Sequence, residues 1–264
     1  MLRQHCASAN AEHRALLLHG LGSSTRSWDT FLAHRPPSLE VWTAALPWRA
    51  GGPPAVPEGD ETHWIREAIR QIPGGPDIVV AHSYASVLLL TLLAETVARG
   101  ADPREEFGIS GAVLVSPFFR EQTDDFSWPE LPTFLDRLRL GAGEGIQLLS
   151  HKPLDSDLLA EMAEHSCAQL GPHWVVRYLN TYLRTPFLPV ELVGLPVQIV
   201  IGDRDPIAPP TEGELLAERL GNASIERIEG SGHTPMAEHP ERFSLAVQQF
   251  LTTLSAGHTP AAVN

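Results

Sequence analysis

Cysteine and lysine are nearly absent from this chain. Cys6 and Cys167 are its two cysteines, and Lys152 is its one lysine. Two cysteines cannot build a disulfide framework, so nothing in the sequence calls for an oxidising compartment. Positive charge is also scarce: 19 basic residues face 32 acidic ones, for a formal charge of −13. That balance argues against a broad electrostatic grip on nucleic acid or anionic lipid. No apolar run reaches the ~18 residues a membrane span needs. The opening residues, 1–13, are mixed and polar, without the apolar core of a signal peptide. The expectation is a cytoplasmic protein with neither a membrane nor a nucleic-acid partner.

What the chain does have is a core. Of its 264 residues 43% are hydrophobic and 19% charged, which excludes wholesale disorder and suits one α/β domain. Short apolar runs recur at 15–18, 40–46, 77–81, 111–115, 197–201 and 223–228. Each is bounded by Gly, Pro, Asp, Asn or His, as buried strands are. Helical patterns lie between them. Residues 62–72 place Trp64, Ile65, Ala68, Ile69 and Ile72 on one face. Residues 85–98 are apolar nearly all round and stop before Gly100, which reads as a buried helix. Residues 240–254 form an amphipathic helix opening with proline. Strands alternating with helices imply a mostly parallel central β-sheet flanked by helices.

One interval breaks this alternation. Between about 118 and 192 no strand pattern occurs, and three helical faces do. They are Leu131/Phe134/Leu135/Leu138, Leu158/Leu159/Met162/Ala163 with Asp155 as N-cap, and Trp174/Val175/Tyr178/Leu179/Tyr182. Gly171-Pro172 separates the last two. The division expected is a core of 1–117 and 193–264 with an all-helical insertion at 118–192. The insertion is either a cap over a site or a second structural domain.

Four short segments carry candidate chemistry. Ser83 sits in Ala-His-Ser-Tyr-Ala between a strand and the buried helix. It is either an exposed nucleophile on a sharp turn or a helix-capping serine. His19-Gly20-Leu21-Gly22 follows the first run and could aim the Leu21 N–H, with that of Tyr84, at an oxyanion. It could equally be a strand-ending turn. Asp205, in Gly202-Asp203-Arg204-Asp205-Pro206, could orient a histidine, with Asp203 forming the turn. His233 follows the last run between glycine-flanked Ser231 and Thr234, 28 residues beyond Asp205. His151, His165 and His173 lack tight ligand spacing, so no metal is expected.

Taken together, HGLGSS at 19–24, AHSYA at 81–85, GDRDPIAP at 202–209 and GSGHTPMAEHPERF at 230–243 make the chain resemble an α/β-hydrolase fold protein. The resemblance spans nearly the whole chain and implies a Ser-Asp-His triad hydrolase with a helical cap, in the family's order. It makes Ser83 the nucleophile, His233 the general base and acid, and Asp205 the orienting carboxylate. It puts the oxyanion hole at the backbone N–H groups of Leu21 and Tyr84. No cofactor is implied. Alanines at 81 and 85 depart from Gly-x-Ser-x-Gly. The loop at 116–119 holds no carboxylate, which favours Asp205. The implied reaction is cleavage of a small apolar ester, thioester or lactone through an acyl-enzyme. The same triad also serves an acyltransferase or cyclase, a cofactor-free lyase or oxygenase using His233 as base, or a binding protein for small ligands. The partner expected is a small apolar or aromatic acyl substrate, with the oligomeric state left open. Trp28, Trp48, Phe118, Phe119, Trp128 and Trp174 are the candidates for its pocket. The insertion is expected to govern substrate choice and to leave bond-breaking to the core.

Overall fold

The short apolar runs form strands in the computed structural model, which describes residues 2–6, 11–48, 60, 62–123, 127–150 and 152–257. They are β1 (Leu2–Cys6), β2 (His13–Leu18), β3 (Leu39–Ala44), β4 (Ile78–His82), β5 (Gly111–Val115), β6 (Val197–Gly202) and β7 (Ala223–Ile228). Their order across one sheet is β1-β3-β2-β4-β5-β6-β7. Strand β1 runs antiparallel to β3, and every other pair is parallel. The helices are α1 (Asp29–His34), α2 (His63–Arg70), α3 (Tyr84–Ala98), α4 (Pro103–Phe107), α5 (Leu131–Leu149), α6 (Ser156–Arg184), α7 (Pro210–Leu220), α8 (Pro235–Glu238) and α9 (Pro240–Gly257).

Successive side chains of a strand point to opposite faces, and here both faces are covered. Leu16, Val79, Leu114 and Ile199 join one buried cluster with α2 and α3. Leu17, Val80, Val113 and Val200 join another with Phe31 of α1 and Phe243 and Phe250 of α9. That double cover is why these strands read as runs and not as alternation. Helix α3, apolar all round, is buried without a break from Tyr84 to Ala94.

Strand β1 was not expected from the sequence, whose opening residues are mixed and polar. It lies at the sheet edge, and its register with β3 shifts between Gln4 and Cys6. An edge strand with solvent beside it needs no apolar run.

Between β5 and β6 the described residues hold helices and no strand. Asp155 caps α6 as expected: its carboxylate accepts from the N–H groups of Asp157 at 3.0 Å and Leu158 at 3.3 Å. Gly171, with φ 78°, kinks α6 one residue before Pro172, so the two expected helices abut. The face expected at 158–163 buries Ala163 but leaves Leu158 and Met162 exposed. The third face is the one that docks. Tyr178 packs on Phe118 with ring centroids 4.9 Å apart, and Trp174 packs on Trp48 at 6.4 Å. Phe134 of α5 stacks on Tyr178 at 4.9 Å.

A buried carboxylate adds a polar tie. Glu212 of α7 accepts from the Phe119 N–H at 3.0 Å, from Arg137 of α5 at 3.3 Å and from the Tyr182 hydroxyl of α6 at 3.4 Å. Burial nonetheless dominates, and its pKa is pushed up to about 7. The folded value exceeds the unfolded 4.5, so this group's stabilisation is complete below that pH and lost as pH rises through about 7. The swing amounts to about 3 kcal/mol. Glu212→Gln removes the ionisation. In thermal unfolding the variant should gain on the wild type between about pH 5 and pH 8, approaching that figure. A difference that stays constant across this range would contradict the account.

Candidate active site

Strand β4 ends at His82 and α3 begins at Tyr84, so Ser83 alone makes the turn. Its backbone has φ 53° and ψ −119°, a conformation that costs about 1–3 kcal/mol unless its surroundings impose it. They do so here. The Ser83 N–H donates to the Val115 carbonyl at 2.8 Å, and its own carbonyl accepts from the Ser86 N–H at 2.9 Å. Ala81 and Ala85, two residues to either side, are fully buried, so the turn holds small side chains where glycine was the pattern. Gly20 completes the crowding: a Cβ there would lie 3.0 Å from His82 Nδ1 and 3.1 Å from Ser83 Cβ.

The parallel register brings the other loops to the same sheet edge. β6 runs into the Asp205 loop and β7 into the His233 loop. The two loops touch so closely that a Cβ on Gly202 would sit 2.1 Å from the Gly232 carbonyl oxygen. His233 Nε2 lies 2.9 Å from Ser83 Oγ, and His233 Nδ1 lies 2.7 Å from Asp205 Oδ2. Asp205 Oδ1 accepts from the N–H groups of Ile207 at 2.8 Å and Ala208 at 2.9 Å. Asp203 takes the other role weighed for this loop: its Oδ1 accepts from the Gly230 N–H at 2.7 Å and so ties the two loops together. An ionised carboxylate only accepts, so the His233 proton sits on Nδ1 and leaves Nε2 free to accept from the serine hydroxyl.

Electrostatics reinforce this assignment. Burial works against charge on Asp205, but His233 and the two amides outweigh it and hold its pKa below the usual carboxylate value. Burial also works against charge on His233, and Asp205 outweighs it, so the imidazole binds its proton more tightly than a free histidine.

Several further groups frame His233 that sequence reasoning did not single out. His82 Nε2 lies 2.9 Å from the His233 carbonyl oxygen and donates to it. Burial drives the His82 pKa down to about 3, so it is neutral and a fixed donor. Ser116, at φ 48°, donates its hydroxyl to the same carbonyl at 3.0 Å. Glu238 accepts from the Gly232 N–H at 2.7 Å and the Thr234 N–H at 2.8 Å. The one available signal was position: His82 adjoins Ser83, and Glu238 closes the short helix that Thr234 opens.

The loop at 19–24 is held from beneath by Trp48. The Trp48 indole donates to the His19 carbonyl at 3.1 Å, and the Leu46 N–H donates to His19 Nε2 at 3.0 Å. Leu21 and Ser83 both line one cavity of about 400 Å³, and Tyr84 opens α3 beside Ser83. The cavity's far wall comes from the insertion and is mostly aliphatic, with Leu138, Ile146, Leu149 and Leu170, the aromatic Tyr178, and Arg137, Glu144 and Ser166 as polar members.

Five of the six aromatic residues expected to line the pocket do not. Trp28, Trp48, Phe118 and Phe119 are at most 1% exposed and Trp174 is 4% exposed, and none borders this cavity. Trp28 packs with Phe31 and Phe243, and Trp48 with Tyr84 and Trp174. Their large apolar area is spent on joining layers, which leaves smaller aliphatic side chains at the cavity. The Trp128 side chain lies outside the described residues, as does Phe126.

Asp205→Asn keeps the shape but favours the wrong imidazole tautomer, so turnover should fall about 10³- to 10⁴-fold. Asp203→Asn should cost far less, since Asp203 touches only backbone. Steady-state kinetics of both variants check this, and a reversed order would contradict the geometry.

Residues 15–246 match the alpha/beta hydrolase family. A pimeloyl–acyl-carrier-protein methyl ester esterase of Aromatoleum aromaticum is 27% identical over 252 residues, covering 88% of this chain and 96% of that relative. An esterase of the same name from Neisseria meningitidis is 24% identical over 261 residues, covering 94% and 96%. Among solved structures, a bacterial membrane phospholipase A superposes with a TM-score of 0.67 at 20% identity, covering 96% of this chain and 82% of that one.

Proposed function

The chain belongs to the alpha/beta hydrolase family, and we propose that it is a serine esterase that cleaves a small ester with an apolar, aliphatic acyl chain. The observation that carries this reading is the hydrogen-bonded series Ser83–His233–Asp205 opening onto an aliphatic cavity. A serine hydroxyl is a weak nucleophile until a base removes its proton. His233 Nε2 takes that proton as Ser83 Oγ bonds to the ester carbonyl carbon. The N–H groups of Leu21 and Tyr84 receive the oxyanion. Asp205 stabilises the imidazolium without becoming protonated. The imidazolium then protonates the departing alcohol, leaving an acyl group on Ser83. Water, deprotonated by His233, releases the acid and restores the serine.

In this reading α5 and α6 form the cap at 118–192 that the sequence led us to expect. Their aliphatic side chains supply the acyl wall, so they govern chain length. An aliphatic wall suits a flexible acyl chain better than a flat aromatic one. The two esterase relatives are named for a methyl ester of pimeloyl–acyl carrier protein, and what they share with this reading is the carboxylic ester bond.

A panel of p-nitrophenyl esters tests the proposal. Wild type should prefer aliphatic acyl groups over benzoyl, and thioesters and lactones of matched size rank its preference among acyl donors. Ser83→Ala should fold normally and lose about 10⁴-fold or more of its turnover. Activity retained within about tenfold would remove Ser83 as the nucleophile.

A further inference from the structure

The groups placed around His233 so far come from the sheet and the loops and helix beyond it. One more carboxyl reaches it from the helical insertion. Glu144 lies on α5 and lines the cavity that holds Ser83 and His233. Its Oε1 is 3.7 Å from where a Cβ on Gly232 would sit, next to His233 in the chain. It shares that cavity with His233, whose charge favours its ionised form. Its Oε2 is buried with no hydrogen-bond partner among the described residues. A buried carboxylate oxygen without a donor is costly, so what holds the charge there calls for an explanation. The positive charge that acts on it is the one that forms on His233.

We propose that Glu144 is a positioning residue for the catalytic histidine: the docked insertion brings a further carboxylate against the His233 loop and favours its imidazolium alongside Asp205. The inference rests on the serine-esterase reading above. It also departs from the expectation that the insertion leaves bond-breaking to the core.

The carbonyl of His233 accepts from His82 and Ser116, and Glu144 lies beside Gly232, the residue before it. The groups facing the imidazole are Asp205 from the loop after β6, Glu144 from α5, Glu238 from α8 and His82 from β4. Burial disfavours the imidazolium, and Asp205, Glu144 and Glu238, in that order, outweigh it. His82 is neutral and adds no charge. Glu144 in turn faces His233, Asp205 and Glu238. Burial and the two like charges push its pKa up, and His233 pulls it down. When the serine proton moves to Nε2, the new positive charge is therefore met by Asp205, Glu144 and Glu238, carboxylates from three different parts of the chain. Taking the charge off Glu144 makes His233 a weaker base, so its titration moves to lower pH.

The test is the pH dependence of kcat and kcat/KM for the full chain and its variants on a p-nitrophenyl ester. In Glu144→Gln, which keeps size and polarity, the acidic limb of kcat/KM should move down by about half a pH unit. Plateau kcat should fall about three- to tenfold with KM changed less than about twofold. Glu144→Asp, which keeps the charge, should return the limb toward the wild-type position. A Gln variant whose limb coincides with the wild type or moves up overturns the proposal. So does a loss that lies in KM with kcat intact, or a shift equal in Gln and Asp. The two readings fail separately. An active Ser83→Ala sinks the esterase mechanism, whereas an inert Ser83→Ala with an unmoved Gln limb sinks only the role of Glu144.

Discussion

The strained turn at Ser83 is the constraint on which the rest of the site depends. A residue at φ 53° between a strand and a helix stays there only if its neighbours forbid the alternatives. Those neighbours come from the whole sheet. β5 supplies the carbonyl that fixes the Ser83 N–H, and the loop after β2 supplies Gly20, where a Cβ would crowd His82 and Ser83. Buried alanines at 81 and 85 leave strand and helix in contact. The strain is thus stored in a turn and offset by packing well away from it.

A second constraint follows at the ends of β6 and β7. Contact between Gly202 and the loop before His233 leaves no room for a side chain at Gly202. Asp203 bonds across that contact through backbone, and Asp205 bonds across it through the imidazole. His233 is therefore oriented by its side chain and its main chain together. Catalysis by general acid–base transfer depends on that orientation being set before substrate arrives. The insertion docks over this frame through Tyr178, Trp174 and the Glu212 tie, and it brings the aliphatic wall with it.

Much of this was legible in the sequence, for physical reasons that also explain what was not. Strands covered on both faces advertise themselves as runs, so β2 to β6 could be read directly, while β1 at the edge could not. Ser83, Asp205 and His233 lie in short glycine-, alanine- and proline-rich segments just past those runs, where a turn exposes a polar side chain. The pocket was not legible. Trp48 and Phe118 sit beside strand ends in sequence, yet their size makes them better used between layers. Leu138, Ile146, Leu149 and Leu170, which do face the cavity, look like ordinary helix positions. Glu144 and Glu212 gave no signal, because a carboxylate's partner across the fold is invisible to local pattern.

The central claim is that Ser83 is held and activated as a nucleophile by His233. Labelling the native protein with a serine-directed fluorophosphonate and locating the adduct by peptide mass spectrometry tests it most directly. The account predicts one adduct, on Ser83, that disappears in His233→Ala. An esterase that stays active and unlabelled, or an adduct on another serine such as Ser116, would contradict it.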